Sequence, residues 1–372
     1  MQLHYIHTGW LIDGTGQMIQ KDMVLTIQND TIVSIDPFNK ELSKKITHHL
    51  SNFTVFPPLI DAHVHLSMSG TLDLDQRQAQ LNLNVVQAQH LITRHLNQYH
   101  QSGIVAVRDG GDHFGHTYHL KHTVNHKVVI HSPGVAWYKK GRYGKFVGKV
   151  LDSGKNGLQD IQSYRKIDHI KIIQSGINSV KQFGKQTVEQ FSLTEMTAIC
   201  QWALKHQKKV MVHANGVDPV AIAIQSGCTS IEHGYFMGQD NLKKMADQQI
   251  FWTPTLTPMV ALSKYLTDPK EKDIARRTVD HQFEQMTLAR NYGVPVICGS
   301  DAGSYGVNHG KGLISEIRLF VECGYSLSQA IQSCTSLSNK LLGIKFPGIL
   351  KKGMHARFIQ KQGNPSIIYN CQ

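Results

Sequence analysis

The 372-residue chain contains no run of about 18 or more apolar residues, which excludes an ordinary membrane-spanning helix. Its start, MQLHYIHTGW, lacks the charged head, apolar middle and small-residue cleavage site of a secretory signal, so the expected location is the cytoplasm. Cysteine is sparse and never paired as CxxC: Cys200, Cys228, Cys298, Cys323, Cys334 and Cys371 lie far apart. Neither a thiolate zinc site nor a disulfide framework is expected from that spacing, and free thiols are. Acidic residues are outnumbered, 27 against 39 lysines and arginines, for a formal net charge of +12. The basic residues are scattered and no DNA- or RNA-binding motif accompanies them, so no nucleic-acid partner and no membrane partner is expected. What remains is a folded chain, 41% hydrophobic, whose partner is a small molecule; a homo-oligomer is compatible with it.

Histidine, by contrast, is plentiful at 22 residues. Two of these, His63 and His65, stand one residue apart in PPLIDAHVHL, and a chain so rich in histidine holds about one such pair by chance. The local pattern adds meaning: in an extended strand residues i and i+2 leave the same face, so the two imidazoles are placed to chelate. The surrounding Leu59, Ile60, Ala62, Val64 and Leu66 suit a buried strand, and prolines suit its entry.

Residues 1–57 read as short strands and turns, with glycines at 9, 14 and 16 and a polar ND turn between MVLTIQND and TIVSID. After Pro57, apolar strand candidates alternate with helix-patterned segments, the order of parallel β/α units. Eight strands are expected: LIDAHVHL at 59, IVAVRDGG at 104, KVVIHSPG at 127, DHIKIIQSG at 168, KVMVHANG at 209, TSIEHGYF at 229, IFWTPTLTP at 250 and VPVICGSDAG at 294. Eight is the number that closes a barrel, so the expected fold class is α/β, a (β/α)8 TIM barrel over residues 58–345. The capping box of Ser192 and Glu195 marks one intervening helix. Residues 346–372 return to short strand patterns and are expected to join 1–57 in one small β domain.

Reactive groups of such barrels sit at the C-terminal ends of the strands. There the sequence places His63 and His65 on the first, Lys171 on the fourth, His213 on the fifth, His233 on the sixth and Asp301 on the eighth. Each is a metal ligand or can become one. In PPLIDAHVHL, HIKIIQSG, VMVHANGVDPVAIAIQSGCTSIEHG, GSDAG with a later HG, and the closing GILKKG, the chain resembles the amidohydrolase superfamily, in its imidazolonepropionase-like and Xaa-Pro-dipeptidase-like branch.

The resemblance implies a barrel with a β-sandwich built from both termini, and a binuclear metal centre bridged by a carboxylated lysine. His63, His65 and Asp301 would bind one metal and His213 and His233 the other. Lys171, N6-carboxylated by carbon dioxide, would bridge the pair together with a hydroxide. An ordinary lysine, with a pKa of about 10.4, repels cations, whereas its carbamate is an anionic two-oxygen ligand. Nitrogen and oxygen donors suit two divalent ions, zinc first, without excluding manganese, iron or cobalt. Asp301 is the expected catalytic residue, taking a proton from the attacking water and passing it to the leaving nitrogen.

Tyr235 and His309 are substrate-binding candidates, the first two residues beyond His233 and the second in the family's later HG. Lys139, Lys140 and Arg142 in the loop GVAWYKKGRYGKFVGK are a further candidate set, suited to an anionic substrate. That loop departs from the prolidase-like pattern, as do Pro58 and HARF at 355 from the wider family pattern. His113, His116, His119 and His122 recur at three-residue steps and are expected as one polar flank of a helix. The expected activity is metal-dependent hydrolysis of a carbon-nitrogen bond in an amide, cyclic amide, acyl-amino compound or dipeptide. A lactonase or phosphotriester hydrolase is the alternative on the same site, and a non-catalytic barrel scaffold is the alternative of another class.

Overall fold

The computed structural model describes residues 2–121, 123–151, 157–163, 166–346 and 348–370. The chain has a mixed α/β fold of two compact units: Met1–Ile60, Gly103–Val105 and Ile317–Gln372 make the first, Asp61–Ser102 and Ala106–Glu316 the second. No helix among the described residues is long and apolar enough to cross a membrane. Five of the six cysteines are buried and in no disulfide among the described residues, while Cys371 lies outside them.

The first unit is organised by β1 (His4–Leu11), β2 (Gln20–Gln28), β3 (Thr31–Pro37) and β4 (His48–Phe56). With the C-terminal strand Ile359–Gln362 they form one sheet, in the order C-terminal strand, β4, β1, β2, β3. The ND turn expected between β2 and β3 is a two-residue loop in which Asn29 and Asp30 both have positive φ, 49° and 57°. Asn and Asp tolerate that conformation, and its twist matches the flanking strands. Ile6, Leu11, Leu25, Ile32, Val55 and Leu350 pack into one core cluster. The C-terminal strand pairs antiparallel with β4 through Ile359 and Phe56, so the two ends of the chain share a sheet.

The remaining strands are β5 (Leu59–Val64), β6 (Ile104–Asp109), β7 (Val129–His131), β8 (Ala136–Tyr138), β9 (Gly148–Val150), β10 (His169–Ile173), β11 (Lys209–Ala214), β12 (Ser230–His233) and β13 (Phe251–Thr253). They lie in two sheets, β5-β6-β7 and β13-β12-β11-β10-β8-β9, and the second is parallel throughout. All five residues of β10 are buried, as a strand covered on both faces requires.

Two of the eight expected strands differ from their sequence pattern. The third is cut short to β7, ending before Ser132–Val135, where Pro133 has no N–H to give and Gly134 adopts a φ of 77°. The loop expected after it carries strands β8 and β9 at its two ends. The eighth, 294–303, makes only isolated bridges, Val296 to Trp252 and Ala302 to Val64. Pro295 cannot donate and Asp301 turns left-handed at φ 51°, so no regular ladder forms. The stretch nevertheless accepts from and donates to both neighbours: Ile297 N–H to the Trp252 carbonyl at 2.8 Å, Asp301 N–H to that of His63 at 2.7 Å. The regular ladders thus leave the sheets short of a closed ring.

Helix Leu193–Lys205 begins with the expected capping box of Ser192 and Glu195. Helix Leu256–Tyr265 has no side-chain cap of its own, because Thr255 is left-handed at φ 47°. Glu316 supplies one: the backbone N–H groups of Leu256 and Thr257 donate to its carboxylate at 2.9 Å each and the Thr257 hydroxyl at 2.5 Å. Burial outweighs these bonds and pushes Glu316 up to about 7 from 4.5. The folded state therefore keeps a proton that the unfolded chain has released, and this contribution to stability is complete below the unfolded value and lost as pH rises through the folded one. Between those values wild type is expected to lose stability relative to Glu316→Gln by about 1.4 kcal/mol per pH unit. Urea midpoints of the two proteins across that window check it; a pH-independent difference contradicts it.

Candidate metal centre

The second unit gathers six side chains at the ends of β5, β10, β11, β12 and the 294–303 stretch. His63, His65, Lys171, His213, His233 and Asp301 all line one cavity of about 520 Å³. One nitrogen or oxygen from each of His63, His65 and Asp301 lies within 4.8 Å of the others. The Oδ1 of Asp301 is 3.7 Å from His63 Nε2 and 3.5 Å from His65 Nε2. The His63 and His233 rings are 5.0 Å apart between centroids, and those of His213 and His233 4.5 Å.

Strict alternation along β12 would send Glu232 and His233 to opposite faces. His233 instead takes a left-handed φ of 68°, and both side chains reach the centre. Asp301 uses the same device, and its turn needs Gly303: a Cβ there would meet the His65 carbonyl oxygen at 2.5 Å.

Each histidine spends one ring nitrogen on the protein. His63 Nδ1 donates to Glu232 at 2.8 Å, His65 Nδ1 to the Gly111 carbonyl at 3.2 Å and His213 Nε2 to the Gly176 carbonyl at 3.2 Å. His233 Nδ1 meets the Thr255 hydroxyl at 2.6 Å. For the first three this fixes the tautomer and leaves the other nitrogen with a lone pair, the form a metal binds. Burial holds all four imidazoles below their ordinary pKa, with Lys171 adding to it: His65 at about 4, His213 at about 3, and His63 and His233 well below the usual histidine range. Burial also pushes Asp301 up to about 7.

Lys171 is the least satisfied of the six. Its Nζ is buried and makes no hydrogen bond to a described residue, as is true of His63 Nε2. Burial lowers its pKa to about 8, against the pull of Glu232. A buried amine without a partner and lone pairs converging on one space form an unfavourable cluster by themselves. Divalent cations with nitrogen and oxygen ligands would satisfy it, so the donor set fits the metals that the sequence implies.

Behind the ring lies a buried pair that the sequence reading missed. Arg108 Nη2 donates to Glu232 Oε1 at 2.7 Å, Nη1 to the Ser230 hydroxyl at 2.9 Å and Nε to the Ala62 carbonyl at 2.6 Å. Burial alone would raise the Glu232 carboxyl, but Arg108 and Lys171 outweigh it and leave it below its usual range. Replacing Glu232 with glutamine strips Arg108 of its counter-charge. That change is expected to cost about 3–5 kcal/mol of stability in a denaturant titration. It should also weaken metal binding by about tenfold to a hundredfold, because His63 loses its orienting acceptor. Unchanged stability and metal affinity would contradict the pairing.

The substrate candidates divide. Tyr235 lines the cavity, and its hydroxyl donates to the Thr255 carbonyl at 3.1 Å. His309 does not line it: it is buried, its Nδ1 meets the Tyr99 hydroxyl at 3.0 Å, its Nε2 the Met68 carbonyl at 2.8 Å, and its ring stacks on His95. The expected basic clamp also needs correction, since Lys139, Lys140 and Arg142 are absent from the lining. Lys139 is held by Glu195 at 3.0 Å, and Arg142 donates to the Val188 and Glu189 carbonyls at 2.8 and 3.2 Å. Their neighbours Tyr143, Phe146 and Val147 take the cavity wall instead. Nor do the spaced histidines form one helix flank. His113 precedes the helix His116–Leu120 and binds the Gly148 carbonyl, His116 binds that of Leu83, and His122 lies outside the described residues.

Residues 54–366 match the amidohydrolase family, and the chain belongs to it as a hydrolase of that family. It is 21% identical over 406 residues to the ochratoxinase of Aspergillus niger, covering 97% of this chain and 81% of that protein. A crystal structure of a Xaa-Pro dipeptidase with bound methionine in the active site aligns with a TM-score of 0.81 at 26% identity, over 99% of this chain and 97% of that one. The crystal structure of A. niger ochratoxinase aligns with a TM-score of 0.77 at 19% identity, over 98% and 90%.

Proposed function

We propose that this protein is a binuclear metal-dependent hydrolase of carbon-nitrogen bonds, acting on an amide, cyclic amide, acyl-amino compound or dipeptide. Family membership and relatives that cleave such bonds support the class. The observation that carries the reading is the buried Nζ of Lys171, without a hydrogen-bond partner among the described residues, inside a ring of four histidines and Asp301. The reading takes β5, β6, β7, β10, β11, β12, β13 and the 294–303 stretch as the eight staves of a (β/α)8 barrel over 58–345, with 1–57 and 346–372 as its composite β-sandwich.

His63, His65 and Asp301 would hold one divalent ion, His213 and His233 the other, and Lys171, carboxylated by carbon dioxide, would contribute an oxygen to each; zinc suits the set. When bound, such ions supply Lewis acidity that lowers the pKa of a water and polarises a carbonyl. The chain's own residues do the rest. Asp301 accepts the proton released as water attacks and delivers it to the leaving nitrogen, which would otherwise depart as a poor amide anion. Its φ of 51° and the bond from its N–H to the His63 carbonyl aim the carboxylate for that transfer. Glu232 and Thr255 keep the His63 and His233 rings in place, and Tyr235 closes the wall beside them.

The test is a panel of N-acyl amino acids, dipeptides, cyclic amides, lactones and phosphotriesters offered to the metal-loaded protein. Turnover of carbon-nitrogen substrates is the expected result. Turnover of lactones or phosphotriesters with none of amides contradicts it.

A further inference from the structure

The cavity holds one cation that the proposed metal site does not use. Helix Leu74–Gln80 sends Leu74, Arg77 and Gln78 into the lining, with Leu81 just past its end. These are positions i, i+3, i+4 and i+7, one face of a helix. Apart from Lys171, Arg77 is the only lysine or arginine among the described lining residues. Its Nη1 donates to the Ser69 carbonyl at 2.8 Å and to that of Gly303 at 3.1 Å. Nε and Nη2 make no hydrogen bond to a described residue, and together they form the side-on fork that fits a carboxylate with two parallel bonds. The anchors fix the guanidinium plane beforehand, so little side-chain freedom is lost when an anion docks. The same cavity keeps large apolar side chains open: Leu74, Phe146 and Ile177 line it while remaining 69%, 41% and 58% exposed. Large apolar side chains left open at a cavity mouth fit an apolar group on the ligand.

We propose that Arg77 recognises a free carboxylate on the substrate, so that the substrate class is an amide bearing a carboxylate and an apolar group. This rests on the carbon-nitrogen hydrolase reading and names its specificity residue. The competing role is a strut, in which Arg77 only ties the loop at Ser69 to the turn at Gly303.

Two pairs of probes separate these. N-(benzenesulfonyl)phenylalanine and N-(benzenesulfonyl)phenethylamine are not cleaved as amides and differ by one carboxylate, so their dissociation constants in the metal-loaded protein isolate that group. Wild type is expected to prefer the acid by about tenfold to a hundredfold. In Arg77→Met the ratio falls to about one, and Arg77→Lys, which keeps the charge without the fork, gives an intermediate ratio. A wild type with no preference for the acid overturns the assignment, as does an Arg77→Met protein that weakens both probes by the same factor. Turnover of N-benzoylphenylalanine by the same preparations tests the parent reading separately. Arg77-dependent binding without cleavage supports the carboxylate site and counts against hydrolysis of such amides.

Discussion

Lys171→Ala is expected to lower kcat/KM by about a thousandfold or more, the scale of several kcal/mol of lost stabilisation at a metal site. The physical reason lies in where the amine sits. Lys171 pairs through its backbone with Met211 on one side and Ala136 on the other, in the interior of the parallel sheet, so truncating the side chain leaves the ladder intact. The lost group ends in a buried Nζ without a hydrogen-bonding partner among the described residues. Removing it relieves burial of a charge, so the variant should unfold no more readily than wild type without metal. What it loses is the one lysine among the described lining residues, the group that the proposed reading carboxylates with carbon dioxide. The variant is expected to retain fewer metal equivalents after dialysis, and wild type should lose metal in the same way when bicarbonate is exhausted. A Lys171→Ala protein with full metal content and full activity removes the lysine from the account.

Asp301→Asn carries the second-largest effect, a fall in kcat of about a hundredfold to ten-thousandfold with little change in KM. Asparagine has the same size and tolerates the left-handed backbone that Asp301 holds at φ 51°, so the turn is expected to survive. Its amide cannot accept and return a proton, and it is a weaker ligand beside His63 and His65. Steady-state kinetics at saturating metal separate the two losses: proton transfer appears in kcat even when the site is full. A variant with wild-type kcat at full metal occupancy contradicts the shuttle.

The positions of the six polar strand ends could be read from the chain because each follows an apolar run, and a barrel presents such ends on one rim. The sequence does not print the backbone that brings them together. His233 and Asp301 reach the cavity through left-handed turns, at φ 68° and 51°, that interrupt alternation. For the same reason Glu232 went unnoticed: a period of two assigns it to the face opposite His233. Lys139 and Arg142 misled in another way. A cluster of cations beside aromatic residues reads as an anion clamp, but local acceptors, Glu195 and two loop carbonyls, take them first. Arg77 was legible in principle, because Leu74, Arg77, Gln78 and Leu81 carry helical spacing just beyond the HxH pair. That segment lies between strands, away from the strand ends where a barrel's reactive groups are expected. The eighth strand was found by its apolar run, although Pro295 and the Asp301 turn leave it only isolated bridges.

The central claim is that these six side chains together hold a pair of cations. Anomalous diffraction from crystals of the metal-loaded protein tests it most directly. Two peaks enclosed by His63, His65, Lys171, His213, His233 and Asp301, with added density continuous from Lys171 Nζ, are the predicted result. Peaks elsewhere, or a single peak at His63, His65 and Asp301 beside a bare lysine, would contradict it.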